Sequence, residues 1–293
     1  VYKRQAYSLV KLPIMIHEGA TFNFLETGSI IEALLIDRVY LGLLSVLSIL
    51  GAYQLLTKDY DPRNKYYLGN IVLNVLFILL IVSRIAIIAL VAIFVLSLFY
   101  GKKRGPQLLF FAGFLFLSVV LIFVFNNDLR KQFFYNNSDY HKAGLVANTL
   151  ALEPRSVIWE CAWDLAQDKD VPIHGLGFTH TNELMMNCYE NTIEYDKKRE
   201  WFLAQKYNVH NQFLDLYVGA GALALLSFTL GLVLLFVYNR KHFYPTAMLL
   251  TICLFLGVEN MFHRQIGSYY VGFILLMLLI NANRPAEKKE TKG

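Results

Sequence analysis

The chain has 293 residues, of which 56% are hydrophobic and 17% charged, with a formal net charge of +5 and a mean hydropathy of +0.43. A soluble domain carries about 25% charged residues, so this composition excludes an ordinary soluble enzyme and indicates a membrane protein. The basic residues lie in short clusters between apolar runs rather than in one patch, which is a topology signal and excludes a nucleic-acid partner.

Residues 1–33 are mixed and hold no long apolar run, so 1–35 reads as an outer-face segment. Seven apolar stretches follow, at about 36–56, 66–83, 85–100, 107–125, 210–238, 244–262 and 267–283. About 20 residues of helix cross the hydrocarbon core. The spacing predicts an all-α polytopic membrane protein with about seven transmembrane helices and one large, partly helical outer loop. Its parts are helices one to four over 36–125, the loop over 126–209, helices five to seven over 210–283 and a charged tail over 284–293. No strand, repeat or low-complexity segment is expected.

Lys58, Arg63 and Lys65 follow the first span, Lys102 to Arg104 the third, Arg240 and Lys241 the fifth, and Arg284, Lys288, Lys289 and Lys292 the seventh. Positive charge marks the cytoplasmic side, so the remaining connections face outward. Two outer turns nevertheless carry an arginine. Arg264 reads as a snorkelling residue, with Glu259 as a partner. Arg84 interrupts the apolar run from Ile71 to Phe99, where a charge is costly without a partner or a polar cavity.

In the outer loop, Pro154 opens a helix expected to run to Gln167, and Val171 to Gly177 breaks it. Glu183 to Gln205 is expected to be helical, and Trp159 and Trp163 to pack. Cys161 and Cys188 share this loop and could pair in an oxidising compartment. Cys253 reads as a small core hydrophobe.

His210 stands where the polar loop meets the fifth apolar stretch. On a continuous helix, His210, Phe213, Leu214, Tyr217, Gly221 and Ala224 form one stripe. A histidine there either caps the helix or acts as a general base. His17, His141, His174, His180 and His263 lack ligand spacing and read as surface or structural, and no metal site is expected. There is no phosphate loop, no HExxH, no GxSxG and no dinucleotide fingerprint. What remains is Arg84, Arg155 and His210 on one face of the membrane. Two guanidinium groups suit a diphosphate, and an imidazole suits proton removal from a hydroxyl.

These residues resemble a known family. His210-Asn211-Gln212-Phe213-Leu214, followed by Gly221 and Ala224, looks like the H-N-x-[FY]-L-x6-G-x2-small pattern of the O-antigen ligase and polymerase superfamily. Arg155 and Trp159, then Pro172, Gly175 and Gly177, look like its R-x3-W helix and P-x2-G-x-G turn. Val82-Ser83-Arg84 looks like its hairpin, and Asp37 to Tyr40 is a looser match to its first motif. Gly219 replaces an acidic residue frequent in the family, and the family usually has more spans, so an N-terminally truncated member is expected.

The resemblance implies an O-antigen ligase-like membrane glycosyltransferase in the bacterial inner membrane, with its active site facing the periplasm. It would move a glycan from an undecaprenyl-diphosphate-linked saccharide to a hydroxyl of an acceptor glycan, lipid A core or protein, with inversion and without metal or other cofactor. His210 would be the catalytic base, Arg84 and Arg155 would hold the diphosphate, and Arg38 would contribute to donor binding. The alternative is a transporter or flippase for the same lipid-linked glycan, which would also place arginines in a polar cavity. Such transporters are commonly built of repeats, and none is visible.

Overall fold

The computed structural model describes residues 37–57, 61–81, 83–100, 154–194 and 196–282, together with Val10 and Ile14. The fourth expected span, 107–125, and the cytoplasmic cluster at Lys102 to Arg104 lie outside the described residues, as do His17, His141 and the tail from 283. Among the described residues every regular element is helical. Six of the seven expected spans are helices there.

The chain divides into two compact units, residues 1–157 and 158–293. In the first, α1 (Arg38–Leu55), α2 (Asn64–Leu80) and α3 (Arg84–Tyr100) pack together. Asp37 caps α1 by accepting the Val39 N–H at 3.0 Å. Three polar side chains join α1 to α2. Asn70 Nδ2 donates to Ser48 Oγ at 3.1 Å, and Asn74 Nδ2 donates to Asn70 Oδ1 at 2.9 Å. Such bonds hold helices together where the surroundings are apolar. Gly42 lets α1 approach the start of α3 so closely that any side chain there would meet Ser83 and Ala86.

The helix α4 (Pro154–Ala166) runs across the boundary between the units, with Pro154 first as the sequence predicts. The second unit continues with the short α5 (Val171–His174), α6 (Phe178–Thr192) and α7 (Asp196–Gln205). The stretch from Glu183 to Gln205, expected to be helical, is divided between two helices, because α6 ends at Thr192 with Ile193 in an extended conformation. Tyr189 and Phe202 form the core between α6 and α7 with ring centroids 5.3 Å apart, and Tyr189 Oη donates to the Tyr207 carbonyl at 3.2 Å. Burial raises the Tyr189 phenol above its ordinary range.

Cys161 of α4 and Cys188 of α6 form a disulfide across a sequence separation of 27. In the chain-entropy description a loop of this length stabilises the folded state by about 3–4 kcal/mol. Cys161→Ser is therefore expected to lower the thermal midpoint of the purified protein, and the difference from wild type should vanish under reducing conditions.

Last come α8 (Gln212–Asn239), α9 (Phe243–Leu256), a single 3₁₀ turn at Met261–His263 and α10 (Gln265–Ala282). The helix α1 and the 28-residue α8 are long and apolar enough to cross a membrane, and α2, α3, α9 and α10 are shorter apolar helices. Leu223, Leu226 and Leu230 of α8 and Tyr269, Phe273 and Leu276 of α10 are exposed. A helix with apolar side chains on its outer surface is suited to lipid.

Two expectations for α8 change. His210 and Asn211 lie before the helix, and the helix is interrupted at Gly221, where φ is +85° and ψ 177°. Past that break the helical phase is reset, so Ala224 does not continue the stripe that begins at Phe213. The interruption frees carbonyl groups that a continuous helix would bond. The turn after α5 supplies the donors. Leu176 N–H donates to the Val218 carbonyl at 2.8 Å and Gly177 N–H to the Gly219 carbonyl at 2.9 Å. Phe178 fills the space beside Gly219, so the position where the family often has an acidic residue is occupied here by an aromatic ring.

Candidate active site

The second unit gathers a set of polar side chains where α8 begins and where the turn between α9 and α10 passes. His210 adopts φ +48°, on the left-handed side that histidine tolerates better than most residues. Its N–H donates to Asn208 Oδ1 at 3.1 Å. Asn211 then caps α8, its Oδ1 accepting the N–H groups of Phe213 at 3.0 Å and Leu214 at 3.1 Å. The cap thus belongs to Asn211, and the capping reading of His210 falls away.

The His210 ring is held from two sides. Its Nδ1 lies 3.1 Å from Glu259 Oε2, and the ring packs 5.5 Å from Tyr207, which itself touches Phe202 and Trp201. The Glu259 side chain is 3% exposed and the His210 side chain 16% exposed. A carboxylate on Nδ1 fixes that nitrogen as the protonated one and leaves Nε2 with its lone pair. Glu259, expected as a partner for Arg264, thus contacts the histidine.

Two further bonds tie the same two segments together, and a third braces the start of α8 itself. Asn211 N–H donates to Asn260 Oδ1 at 2.7 Å. Phe262 N–H donates to Gln212 Oε1 at 2.9 Å. Gln212 Nε2 donates to Asp215 Oδ2 at 3.3 Å. His263, expected to be a surface or structural residue, points inward. Its Nε2 lies 2.9 Å from Asp215 Oδ2, and its ring meets the edge of Phe178 at 5.7 Å. The hydrogen bond to Asp215 raises the His263 pKa, against the opposing effect of partial burial.

The arginines occupy helix starts. Arg38 is the first residue of α1 and Arg84 the first of α3, both partly buried. They lie at the same end of that helix pair, because Gly42, one turn beyond Arg38, contacts Ser83. Arg155 is the second residue of α4 and is also partly buried. Each of the three has polar or charged interactions within the protein.

The O-antigen ligase family model matches residues 69–229, more than half of the sequence. The chain belongs to the O-antigen ligase family. No curated protein and no solved structure matches the chain. The O-antigen ligase match takes in Arg84, Arg155, His210 and Gly221 and ends inside α8. Arg38 lies before it, and Glu259 and His263 lie after it. Glycosyltransferase activity in polysaccharide biosynthesis, on lipid-linked saccharides, goes with this family, and the apolar helices are compatible with its membrane setting.

Proposed function

We propose that the protein transfers a glycan from an undecaprenyl-diphosphate carrier to an acceptor hydroxyl at the periplasmic face of the bacterial inner membrane, with His210 as the base. The observation that carries this reading is the buried Glu259 carboxylate on His210 Nδ1. It leaves Nε2 to take the hydroxyl proton. The acceptor oxygen then forms a bond to the anomeric carbon, with inversion, while the bond to the diphosphate breaks and its electron pair leaves with the phosphate oxygen. Arg84 and Arg155, with Arg38, bind the diphosphate and offset the charge that develops on it. Their permanent charge supplies what a metal ion supplies in other transferases, so the reaction requires no cofactor.

In this reading the seven apolar stretches cross the membrane and 126–209 is the periplasmic loop. The Cys161–Cys188 disulfide supports an oxidising compartment for that loop. The exposed apolar surfaces of α8 and α10 support contact with lipid.

The carboxylate of Glu259 is expected to act through the histidine. Glu259→Gln retains shape and loses charge while the imidazole itself stays, so it should lower turnover by about ten- to a hundredfold, no more than the lower end of what loss of a general base costs. The donor KM should stay close to wild type. The measurement is single-turnover transfer from a purified lipid-linked oligosaccharide in proteoliposomes. Full turnover in Glu259→Gln would remove the assignment of Nε2 as the base.

A gel of surface polysaccharide from a strain lacking the gene separates the acceptors. A ladder reduced to one repeat unit indicates polymerisation, and loss of attachment with accumulated lipid-linked polymer indicates ligation.

A further inference from the structure

Asp215 is the sole charged residue in the sequence of α8, and its side chain is 3% exposed. An isolated carboxylate is costly to hold on an otherwise apolar helix, and a charge retained there needs a named partner. That partner is His263, 2.9 Å away on the turn that also carries Glu259 and Asn260. The same carboxylate oxygen accepts from Gln212, whose own carbonyl oxygen accepts the Phe262 N–H. Residues 210–215, which lead into α8, and the 259–263 turn are therefore joined at three levels: His210 with Glu259, Asn211 with Asn260, and Asp215 with His263.

We propose that Asp215 and His263 form a second histidine–carboxylate pair that positions the transfer site, holding the turn that carries Glu259 against His210. This rests on the reading of His210 as the base. His263 is a positioning residue in this scheme, since it acts through Glu259 and Asn260.

Among the described residues the charged groups around His263 are few. From α8 it faces Asp215, from α6 the uncharged Phe178 ring, and α10 has no charged residue in its sequence. Its own turn also carries Glu259, which contacts His210, and Arg264. Asp215 raises the His263 pKa above its ordinary 6.5. A group whose pKa is raised on folding contributes stability that is fully present below the unfolded value and is lost as pH rises through the folded one. The pair should therefore weaken on the alkaline side of 6.5, and the turn with it.

The test compares His263→Gln, Asp215→Asn, His210→Ala and wild type as full chains in proteoliposomes, with two readouts over pH 6 to 9. For transfer from the lipid-linked oligosaccharide, His263→Gln should lower kcat by about tenfold, a coupling usual for residues in one network, leave the donor KM within about twofold, and lack the alkaline fall of the wild type. Asp215→Asn should move that fall to lower pH. For the thermal midpoint, the wild type should decline with rising pH above 6.5, and His263→Gln should not. A purely structural role would lower activity equally at every pH. Wild-type kcat and pH profile in His263→Gln, or an unmoved alkaline fall in Asp215→Asn, overturns the proposal. The thermal readout needs no glycan transfer, and an equal decline in wild type and His263→Gln overturns the proposal through it. Full activity in His210→Ala would sink the functional reading and the positioning of the transfer site with it, while the thermal readout would still decide whether the pair holds the turn.

Discussion

Replacing His210 with alanine is expected to abolish glycan transfer while the protein still inserts and folds. The imidazole contributes one bond to the fold that a side chain can lose locally, its contact with Glu259 at 3.1 Å. The helix start stays in place, because Asn211 and not His210 caps α8. The loss of a general base lowers turnover by about 10²- to 10⁴-fold. Transfer from a lipid-linked oligosaccharide, with membrane content and thermal midpoint measured on the same preparation, checks both halves of the expectation. Full transfer by His210→Ala would remove the mechanism. Loss of transfer together with loss of the folded protein would instead make His210 a structural residue.

The second large effect is expected at two glycines that touch nothing reactive. Gly175 has φ +69° and ψ 178°, and Gly221 has φ +85° and ψ 177°. This region belongs almost entirely to glycine, and an L side chain held there costs about 1–3 kcal/mol. Space adds to the conformation. A Cβ on Gly175 would lie 2.5 Å from the Ala220 backbone nitrogen and 2.6 Å from the Gly219 carbonyl carbon, and backbone atoms cannot swing aside. At Gly221 the same Cβ would lie 3.1 Å from the Gly175 nitrogen, a tighter fit than most contacts but less severe. Gly175→Ala should therefore be the worse of the two, lowering the thermal midpoint by at least about 5 °C. It should also make the 154–207 segment more sensitive to protease. Gly221→Ala should show the smaller shift. A Gly175→Ala protein with wild-type melting and protease resistance would mean that the turn after α5 does not hold α8.

The helices were legible because their signals are local. Among the described residues the apolar runs, the Pro154 start and the polar breaks sit where the structure has them, to within about two turns of helix. The interruption of α8 was not legible as an interruption. Gly221 lies in an apolar run in which glycine is also tolerated within a helix, and what decides its conformation is donation from Leu176 and Gly177, more than forty positions earlier. The partners of the candidate base were hidden for a similar reason. Glu259 lies 49 positions from His210, and a turn read for charge balance does not say which way its side chains point. Two signals could have pointed there. Asp215 is a lone charge on a long apolar helix, and Glu259 to Arg264 is unusually polar for a short turn between apolar spans. The arginines stand out in the sequence because a charge at a hairpin or a helix start contrasts with apolar neighbours, and the structure places each of them in the first turn of a helix.

The stitch between the turn after α5 and the broken helix also bears on biogenesis. The donors Leu176 and Gly177 leave the ribosome before the acceptors Val218 and Gly219. At insertion α8 enters lipid as an apolar segment whose cheapest state is an unbroken helix, since an unpaired carbonyl in hydrocarbon costs several kcal/mol. The break at Gly221 becomes affordable only once the earlier segment docks against it. Maturation of the site is therefore a late event at the bilayer surface, after both pieces are in place, and a chain whose loop is still unfolded should hold α8 straight and its histidine out of register.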